Sequence, residues 1–563
     1  MNTHLRNSRV NETSERRHDL DALRAVAMLL GIVLHAGLSF VTYGWIVQDS
    51  RTHWAFDLVV TAIHGFRMPM FFVMSGFFTA MLWRRRGLRP LLWHRIRRIA
   101  LPLALCMITV IPAMNWASGI ALTSGAKVSA GAYADVDPRE SIWTAARAGD
   151  VGMIEQSLEK GADIDEGDPQ TGVAPLALAT LFGQPEAVDA LIQLGADVNG
   201  RDRLGSTALH GAAFLGRVKA ARLLVGAGAD LDARNSDNAT PYDSLSVDWG
   251  TTLFIAGLLG IHPDEQQVEE GRKAVSALFD AVPTDRGANP GQDGKSDKDD
   301  LSGILGWLLH ASVFHHLWFL WHLCWLVLAF AIYATLADGF GWRGLSSRVM
   351  LSPARWLWLV PVTMVPQWFM LGFGPDTSAG ILPMPPVLGY YAIFFFYGVL
   401  YYDSDEGQGR ADRWWPITVP TAVFAVVPLA LTLDGDLKNA IDAPVGLVAL
   451  RLGATALKVV YAWLMTFGLM GMFQALVKAE SRALRYVSDS SYWLYIAHLP
   501  LIILAQAWVR YWPLPSVVKF AMICLVVTGV LLLAYQTVVR YTVVGTMLNG
   551  PRQRPRKVVA DAS

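Results

Sequence analysis

One histidine inside the first apolar run constrains this chain more than any other feature. The stretch from Arg16 to Phe40 reads RRHDLDALRAVAMLLGIVLHAGLSF. It is a charged lead-in followed by a run long enough to cross a bilayer, with His35 within it. In lipid only a helix satisfies its own backbone in a single segment, so a spanning helix is the reading. An ionisable group in hydrocarbon is costly and marks a functional site by default. On an ideal helix Arg24 and His35 are separated by roughly 1100°, or about 20° after whole turns. Asp21 falls within about 60° of both. One face therefore carries Asp21 and Arg24 at the membrane surface, with His35 about 16 Å deeper. An anion held at the surface could send a thin arm down to His35. The alternative is a polar histidine satisfied by a neighbouring helix.

The overall composition averages two unlike materials. The chain of 563 residues is 53% hydrophobic and 17% charged. Apolar runs of spanning length occupy both ends, whereas residues 123–300 are polar. A formal net charge of zero decides little, because local charge is segregated. Cys106, Cys324 and Cys524 lie in apolar runs without metal-ligand spacing, which argues against a disulfide framework and for burial. No convincing small-x-small cleavage site follows the first apolar core, so that run reads as an uncleaved span.

Ten spans can be drawn, near 22–43, 57–83, 99–122, 315–337, 356–373, 387–402, 415–433, 450–476, 491–509 and 517–543. The expected fold class is an all-α polytopic membrane protein with about ten transmembrane helices. With the N-terminus inside, the first inner loop, Arg84 to Arg98, holds seven arginines. No short outer loop carries more than two basic residues, so the positive-inside rule supports this orientation. Both termini are then cytoplasmic, in a bacterial inner membrane, and the insert between spans three and four is periplasmic.

That insert repeats. Gly161-Ala162-Asp163, Gly195-Ala196-Asp197 and Gly228-Ala229-Asp230 recur in step with Gly149, Gly183 and Gly216. The segments WTAARAGD, APLALATLFGQ and STALHGAAFLGR recur with them. Paired short helices with glycine turns at this period resemble the ankyrin family. Three repeats are clear, and Ala239-Thr240-Pro241-Tyr242 begins a fourth that degrades. His210 reads as structural, bonding within a turn. The boundaries expected are a membrane portion at 1–122, ankyrin repeats at 137–260, a polar linker at 261–300, a second membrane portion at 301–545 and a basic tail at 546–563. Within the linker, HPDEQQVEEGRKAVSALFDAV has the pattern of an amphipathic helix.

Further polar residues lie within apolar runs. The second span contains His64 and Arg67, with Pro69 beside them; a buried arginine needs an anion or a carbonyl, and Pro69 frees one. His315 and His316 open the fourth span, but adjacent helical residues point about 100° apart. No matching carboxylates accompany them, so no metal is expected. Arg451 and Lys458 share a face of the eighth span and suit an anionic part of a substrate. SDSSYWLYIAHLP places His498 inside the ninth.

RRHDLDALRAVAMLLGIVLH, HGFRMPMFFVMSGFF, HHLWFL and SYWLYIAH, in that order, resemble the four landmarks of the membrane acyltransferase type-three family. The likeness is closest to the branch that modifies glucans (the glucan biosynthesis protein C type). It covers both membrane portions and leaves the ankyrin insert outside. It implies transfer of an acyl group from acyl-CoA to a hydroxyl of an extracytoplasmic carbohydrate. By resemblance His35 is the essential first-span histidine and Arg24 the arginine of LD-x-LR. Phe72, Ser75 and Gly76 belong to FF-x-x-SG, and His316 is the histidine of HLWFL. The W-S-L-x-x-E pattern of the sugar-modifying branch departs here: Trp318-Phe319-Leu320-Trp321-His322-Leu323 has no glutamate.

The expected assignment is therefore His35, Arg67 and His316 as catalytic, with Asp21, Arg24 and Ser75 on the donor. His64, Arg451, Lys458 and His498 are candidates for substrate binding. His35 serves as general base or as a transient acyl carrier. Acyl-CoA is a co-substrate rather than a bound cofactor, the acyl group is succinyl or acetyl, and the acceptor is an envelope carbohydrate. The lipid bilayer and a protein held by the ankyrin repeats are further partners; no nucleic acid is expected. The competing classes are a transporter or flippase and a membrane-anchored ankyrin binding module.

Overall fold

The computed structural model describes residues 17–42, 45–132, 142–168, 172–202, 205–235, 239–247, 249–258, 261, 263–282, 308–309, 313–342, 344–370, 372–405, 413–434, 444–479 and 481–550. Among them there are helices and no strands. Arg16, linker residues 283–300 and the basic tail from 551 onward lie outside the described residues.

Among the described residues eight helices are long and apolar enough to cross a membrane: His18–Phe40, Trp54–Arg86, Leu88–Ala121, His315–Phe340, Trp415–Leu433, Val448–Leu476, Arg482–Val509 and Ser516–Val539. The two other spans drawn from sequence correspond to Trp356–Trp368, of 13 residues, and Pro385–Asp405, of 21. The first covers only about 20 Å at 1.5 Å per residue. The second is rich in tyrosine, and Tyr390, Tyr391, Phe394 and Phe395 are buried within the bundle.

In chain order the elements used below are α1 (His18–Gly37), α2 (Trp54–Arg86), α3 (Leu88–Arg95) and α4 (Leu101–Ala132). The insert supplies α5 (Ile142–Ala148), α6 (Val151–Glu159), α7 (Pro175–Phe182), α8 (Pro185–Gln193), α9 (Ala208–Phe214), α10 (Val218–Gly226), α11 (Trp249–Leu258) and α12 (Glu265–Asp280). The second membrane portion supplies α13 (Trp318–Phe340), α14 (Trp356–Trp368), α15 (Pro385–Asp405), α16 (Val427–Asp434), α17 (Pro444–Leu476), α18 (Arg482–Val509) and α19 (Ser516–Ala534).

Lipid tails are as apolar as leucine, so burial alone does not bring membrane helices together; close packing and hydrogen bonds must. The pairing of α2 with α15 shows how. A Cβ at Gly76 would overlap the Phe395 carbonyl, and one at Gly398 would overlap the Val73 carbonyl, so the two backbones meet through glycine. At the end of this pair Arg84 grips Asp403 with two hydrogen bonds, of 2.9 and 2.8 Å. Gly76 is thus a packing residue of the FF-x-x-SG segment. Helix α1 packs against α2, α17 and α18, and of these α2 brings Arg67 and α18 brings His498 toward His35.

In the insert α5–α10 form three stacked helix pairs. All six periodic glycines take positive φ, from 62° at Gly216 to 96° at Gly195, the left-handed region that favours glycine. The pairs are stitched by one repeated device. Gln184 donates to the Arg147 carbonyl and Arg217 to the Leu181 carbonyl, each reaching back to the preceding repeat. Arg272 of α12 does the same to the Phe214 carbonyl at 2.7 Å. Val268, Val275 and Phe279 are buried, the last two in the same core as the repeats. The stretch expected as a polar linker therefore begins with a helix that continues the solenoid, because Arg272 supplies the backbone contact a further repeat would make. His210 is structural, as read: its Nδ1 accepts the Thr207 amide at 3.1 Å and its Nε2–H donates to the Ala239 carbonyl at 3.0 Å.

Candidate functional site

Three histidines meet inside the helical bundle. The His35 and His498 rings lie 4.9 Å apart, and His498 and His316 5.5 Å apart, between centroids. They come from α1, from α18 and from the short turn preceding α13. His35 Nδ1 lies 2.8 Å from the Gly31 carbonyl oxygen and 3.0 Å from His498 Nε2. His316 Nε2–H donates to the Ile496 carbonyl at 3.1 Å, and Tyr495 donates its hydroxyl to the His316 carbonyl at 2.7 Å. The turn carrying His316 is thereby pinned to α18, while His316 Nδ1 is buried without a hydrogen-bond partner. Phe72, also from the FF-x-x-SG segment, packs on Trp318, Phe319 and Tyr391 and closes this layer.

Arg67 of α2 adds a buried cation. It is 7% exposed and crosses α1 at Gly31. It lies within electrostatic reach of His35, His498, Tyr391 and Tyr495. Among the described residues no carboxylate pairs with it, and its Nε has no hydrogen-bond partner. Of the two kinds of partner the sequence allows, an anion or the carbonyl that Pro69 frees, neither is hydrogen-bonded to Arg67 among the described residues. A desolvated guanidinium beside a histidine, without a protein anion, is suited to charge that develops on a substrate.

The N-terminal end of α1 is basic and wetter. Arg24 pairs with Asp21 at 3.2 Å and donates to Ser488 of α18 at 2.9 Å. Arg98 lies within electrostatic reach of Arg24, and Arg95 of Arg98. Arg95 donates to Thr79 Oγ1 at 2.7 Å, and Thr79 Oγ1 in turn donates to the Ser75 carbonyl at 2.6 Å. Asp21 and Arg24 therefore stand beside Arg98 and Arg95. Ser75 reaches this cluster only through its backbone carbonyl, bonded to Thr79, and His35 lies further along the same helix as Arg24.

The remaining predicted residues converge elsewhere. Arg451 donates to the Trp368 carbonyl at 2.8 Å with its guanidinium over the Trp368 ring. Lys458 donates to the Gly372 carbonyl at 3.2 Å, and His64 Nε2–H to the Pro375 carbonyl at 3.1 Å. Arg451 thus holds the last residue of α14, and Lys458 and His64 the segment that follows it.

Sequence reading missed several contributors. Gln506 of α18 donates Nε2–H to the His35 carbonyl at 2.8 Å, and Trp45 donates to its Oε1 at 3.2 Å. Gly31, one turn before His35, carried the only local signal: a small residue at the spacing of a close approach. No group of three or more His, Cys, Asp or Glu with metal-binding geometry occurs among the described residues.

The comparisons with known proteins agree with this division of the chain. A family model described as an acyltransferase domain matches residues 17–135 and 250–536, and a model of three ankyrin repeats matches residues 142–235. Glucans biosynthesis protein C from Salmonella paratyphi B, and that from Salmonella heidelberg, are each 39% identical over 100 residues. The match covers 18% of this chain and 25% of each relative, so it spans a quarter of their length. The solved ankyrin repeat domain of Bcl-3 is 29% identical, with a TM-score of 0.19, covering 23% of this chain and 50% of its own.

Proposed function

This chain belongs to the acyltransferase family whose model spans residues 17–135 and 250–536, and we propose that it is an integral-membrane O-acyltransferase. It moves a succinyl or acetyl group from acyl-CoA on the cytoplasmic side to a hydroxyl of a periplasmic glucan or related envelope carbohydrate. The observation that carries this reading is His35 seated beside Arg67, on a helix whose other end joins a cluster of arginines. The choice of a glucan follows the name of the similar proteins, glucans biosynthesis protein C.

Arg24, Arg95 and Arg98 hold the donor phosphates, and the pantetheine arm runs along α1 toward His35. The acceptor oxygen attacks the thioester carbonyl carbon as His35 takes the hydroxyl proton. Arg67 stabilises the oxyanion of the tetrahedral intermediate. Its collapse breaks the carbon–sulfur bond, His35 returns the proton to the thiolate, and an ester and coenzyme A leave. A transient acyl group on His35 would use the same ring nitrogen. The ankyrin unit lies on the periplasmic side, where it binds a protein partner or positions the acceptor.

Mass spectrometry of envelope glycans tests the reading in cells with the protein, without it, and with His35→Ala. The wild type alone should add an acyl mass increment to one glycan class. An equal increment from a membrane-inserted His35→Ala variant removes His35 from the reaction. No increment in any strain favours a transporter or a binding module.

A further inference from the structure

A neutral imidazole can carry its proton on either nitrogen, and only one tautomer presents a lone pair where a base needs it. The neighbours of His35 decide which. His498 Nδ1 lies 3.1 Å from the Leu494 carbonyl oxygen and 2.8 Å from that of Tyr495. Carbonyl oxygens only accept, so His498 Nδ1 bears the proton and Nε2 the lone pair. That lone pair faces His35 Nδ1 at 3.0 Å, and the Gly31 carbonyl faces the same nitrogen at 2.8 Å. Two acceptors at one ring nitrogen make it the donor. The His35 proton then resides on Nδ1, and Nε2 is left unprotonated.

From this we infer that His498 is a positioning residue: it holds His35 in the Nδ1–H tautomer and so selects Nε2 as the atom that takes the acceptor proton. The inference deepens the general-base reading above and rests on it. The pair is an orienting device and not a proton relay, because the far nitrogen of His498 ends on backbone carbonyls, which take up no proton. When His35 becomes an imidazolium, its Nδ1–H bonds to His498 and Gly31 become charge-assisted and strengthen. Helix α18 is built for this task. His498 is 2% exposed, and Gln506 of the same helix, 0% exposed, holds the His35 backbone carbonyl while Trp45 holds Gln506. Ring and backbone of one residue on α1 are thus both set by α18.

The test uses the full-length protein in nanodiscs, with acyl transfer followed alongside nitrogen NMR of ¹⁵N-histidine-labelled wild type. His498→Leu removes the acceptor, whereas His498→Gln offers an amide oxygen near the position of Nε2. His498→Leu should lower kcat by roughly 10²- to 10⁴-fold, the upper end being the scale on which a catalytic histidine loses its correct tautomer, with KM for acyl-CoA little changed. His498→Gln should recover most of that loss. The NMR spectrum of the wild type, with His35 assigned by its disappearance in His35→Gln, should show a protonated Nδ1 and an unprotonated Nε2. A His35 protonated on Nε2, a His498→Leu enzyme with wild-type kcat, or equal damage from Leu and Gln would each overturn the inference. If His35→Ala is itself active, the general-base reading fails and takes this one with it. If His35→Ala is inactive while His498→Leu is fully active, only the positioning role fails.

Discussion

The guanidinium of Arg67 lies against the backbone of Gly31, so closely that a Cβ on Gly31 would overlap its Nη1. The carbonyl of the same glycine accepts the His35 Nδ1 proton at 2.8 Å. One residue without a side chain therefore serves two purposes. It lets a buried cation approach α1, and it helps orient the ring one turn further on.

Gly31→Ala tests that approach with a single methyl group. The added carbon must push Arg67 aside while α1, which gains a better helix former, stays inserted. Turnover should fall by roughly tenfold or more, a fraction of what loss of an oxyanion donor costs. The measurement is acyl transfer in proteoliposomes, normalised to inserted protein.

Arg67→Met removes the cation outright. Its contribution is largest where negative charge develops, so kcat should fall roughly 10²- to 10³-fold with KM for the donor little altered. Steady-state kinetics separate the two. A raised KM with unchanged kcat would instead make Arg67 a ground-state binding residue.

The arginine cluster at the other end of α1 should behave oppositely. Arg24→Gln and Arg98→Gln each remove a charge from the expected phosphate seat. Each should raise KM for acyl-CoA by about tenfold, near 1.4 kcal/mol, with a smaller change in kcat. Competition by free coenzyme A, compared across the variants, reports the same loss without chemistry.

A buried ion pair ties the loop between α1 and α2 to α19. Lys519 Nζ lies 3.0 Å from both Asp49 oxygens and 2.9 Å from the Arg510 carbonyl, with both side chains fully buried. Lys519→Met strands the carboxylate and should cost about 3–5 kcal/mol of stability. Adding Asp49→Leu should recover most of it, since an apolar pair of similar volume is often neutral. Thermal aggregation midpoints in detergent distinguish these outcomes.

Acid should loosen the ankyrin unit through His210. Burial lowers the pKa of this ring from its ordinary 6.5, and its Nδ1 must remain an acceptor for the Thr207 amide. A base whose folded pKa is depressed binds protons more readily when unfolded. Its stabilising contribution is thus fully present above the unfolded value and is lost as pH falls below about 6.5 toward the folded value. Hydrogen exchange across residues 205–235 of the full-length protein, corrected for intrinsic rates, should quicken between pH 7.5 and 5.5. A His210→Gln variant should show little such change.

Local periodicity made much of this protein legible in its sequence. Long apolar runs specified spanning helices because lipid leaves a backbone no other partner. The repeat of glycines marked the ankyrin turns because left-handed φ favours that residue. Helical spacing alone put Asp21, Arg24 and His35 along one face of α1, and the arginine-rich loop flagged the region of Arg95 and Arg98. The amphipathic pattern within 261–300 was also visible, but not that Arg272 would bond back to Phe214, since nothing local marks which carbonyl a long side chain will reach.

Tertiary structure alone decided what each polar residue does. His35 and His498 stand 463 positions apart, and no local pattern states that their nitrogens meet. Arg67, Arg451 and Lys458 look alike as cations in apolar runs. Only packing sends the last two to the carbonyls of Trp368 and Gly372 and leaves the first beside His35. The physical reason is one of range. Backbone satisfaction and turn geometry are settled within a few residues, whereas the tautomer of a buried ring depends on whichever groups the fold carries to its two nitrogens.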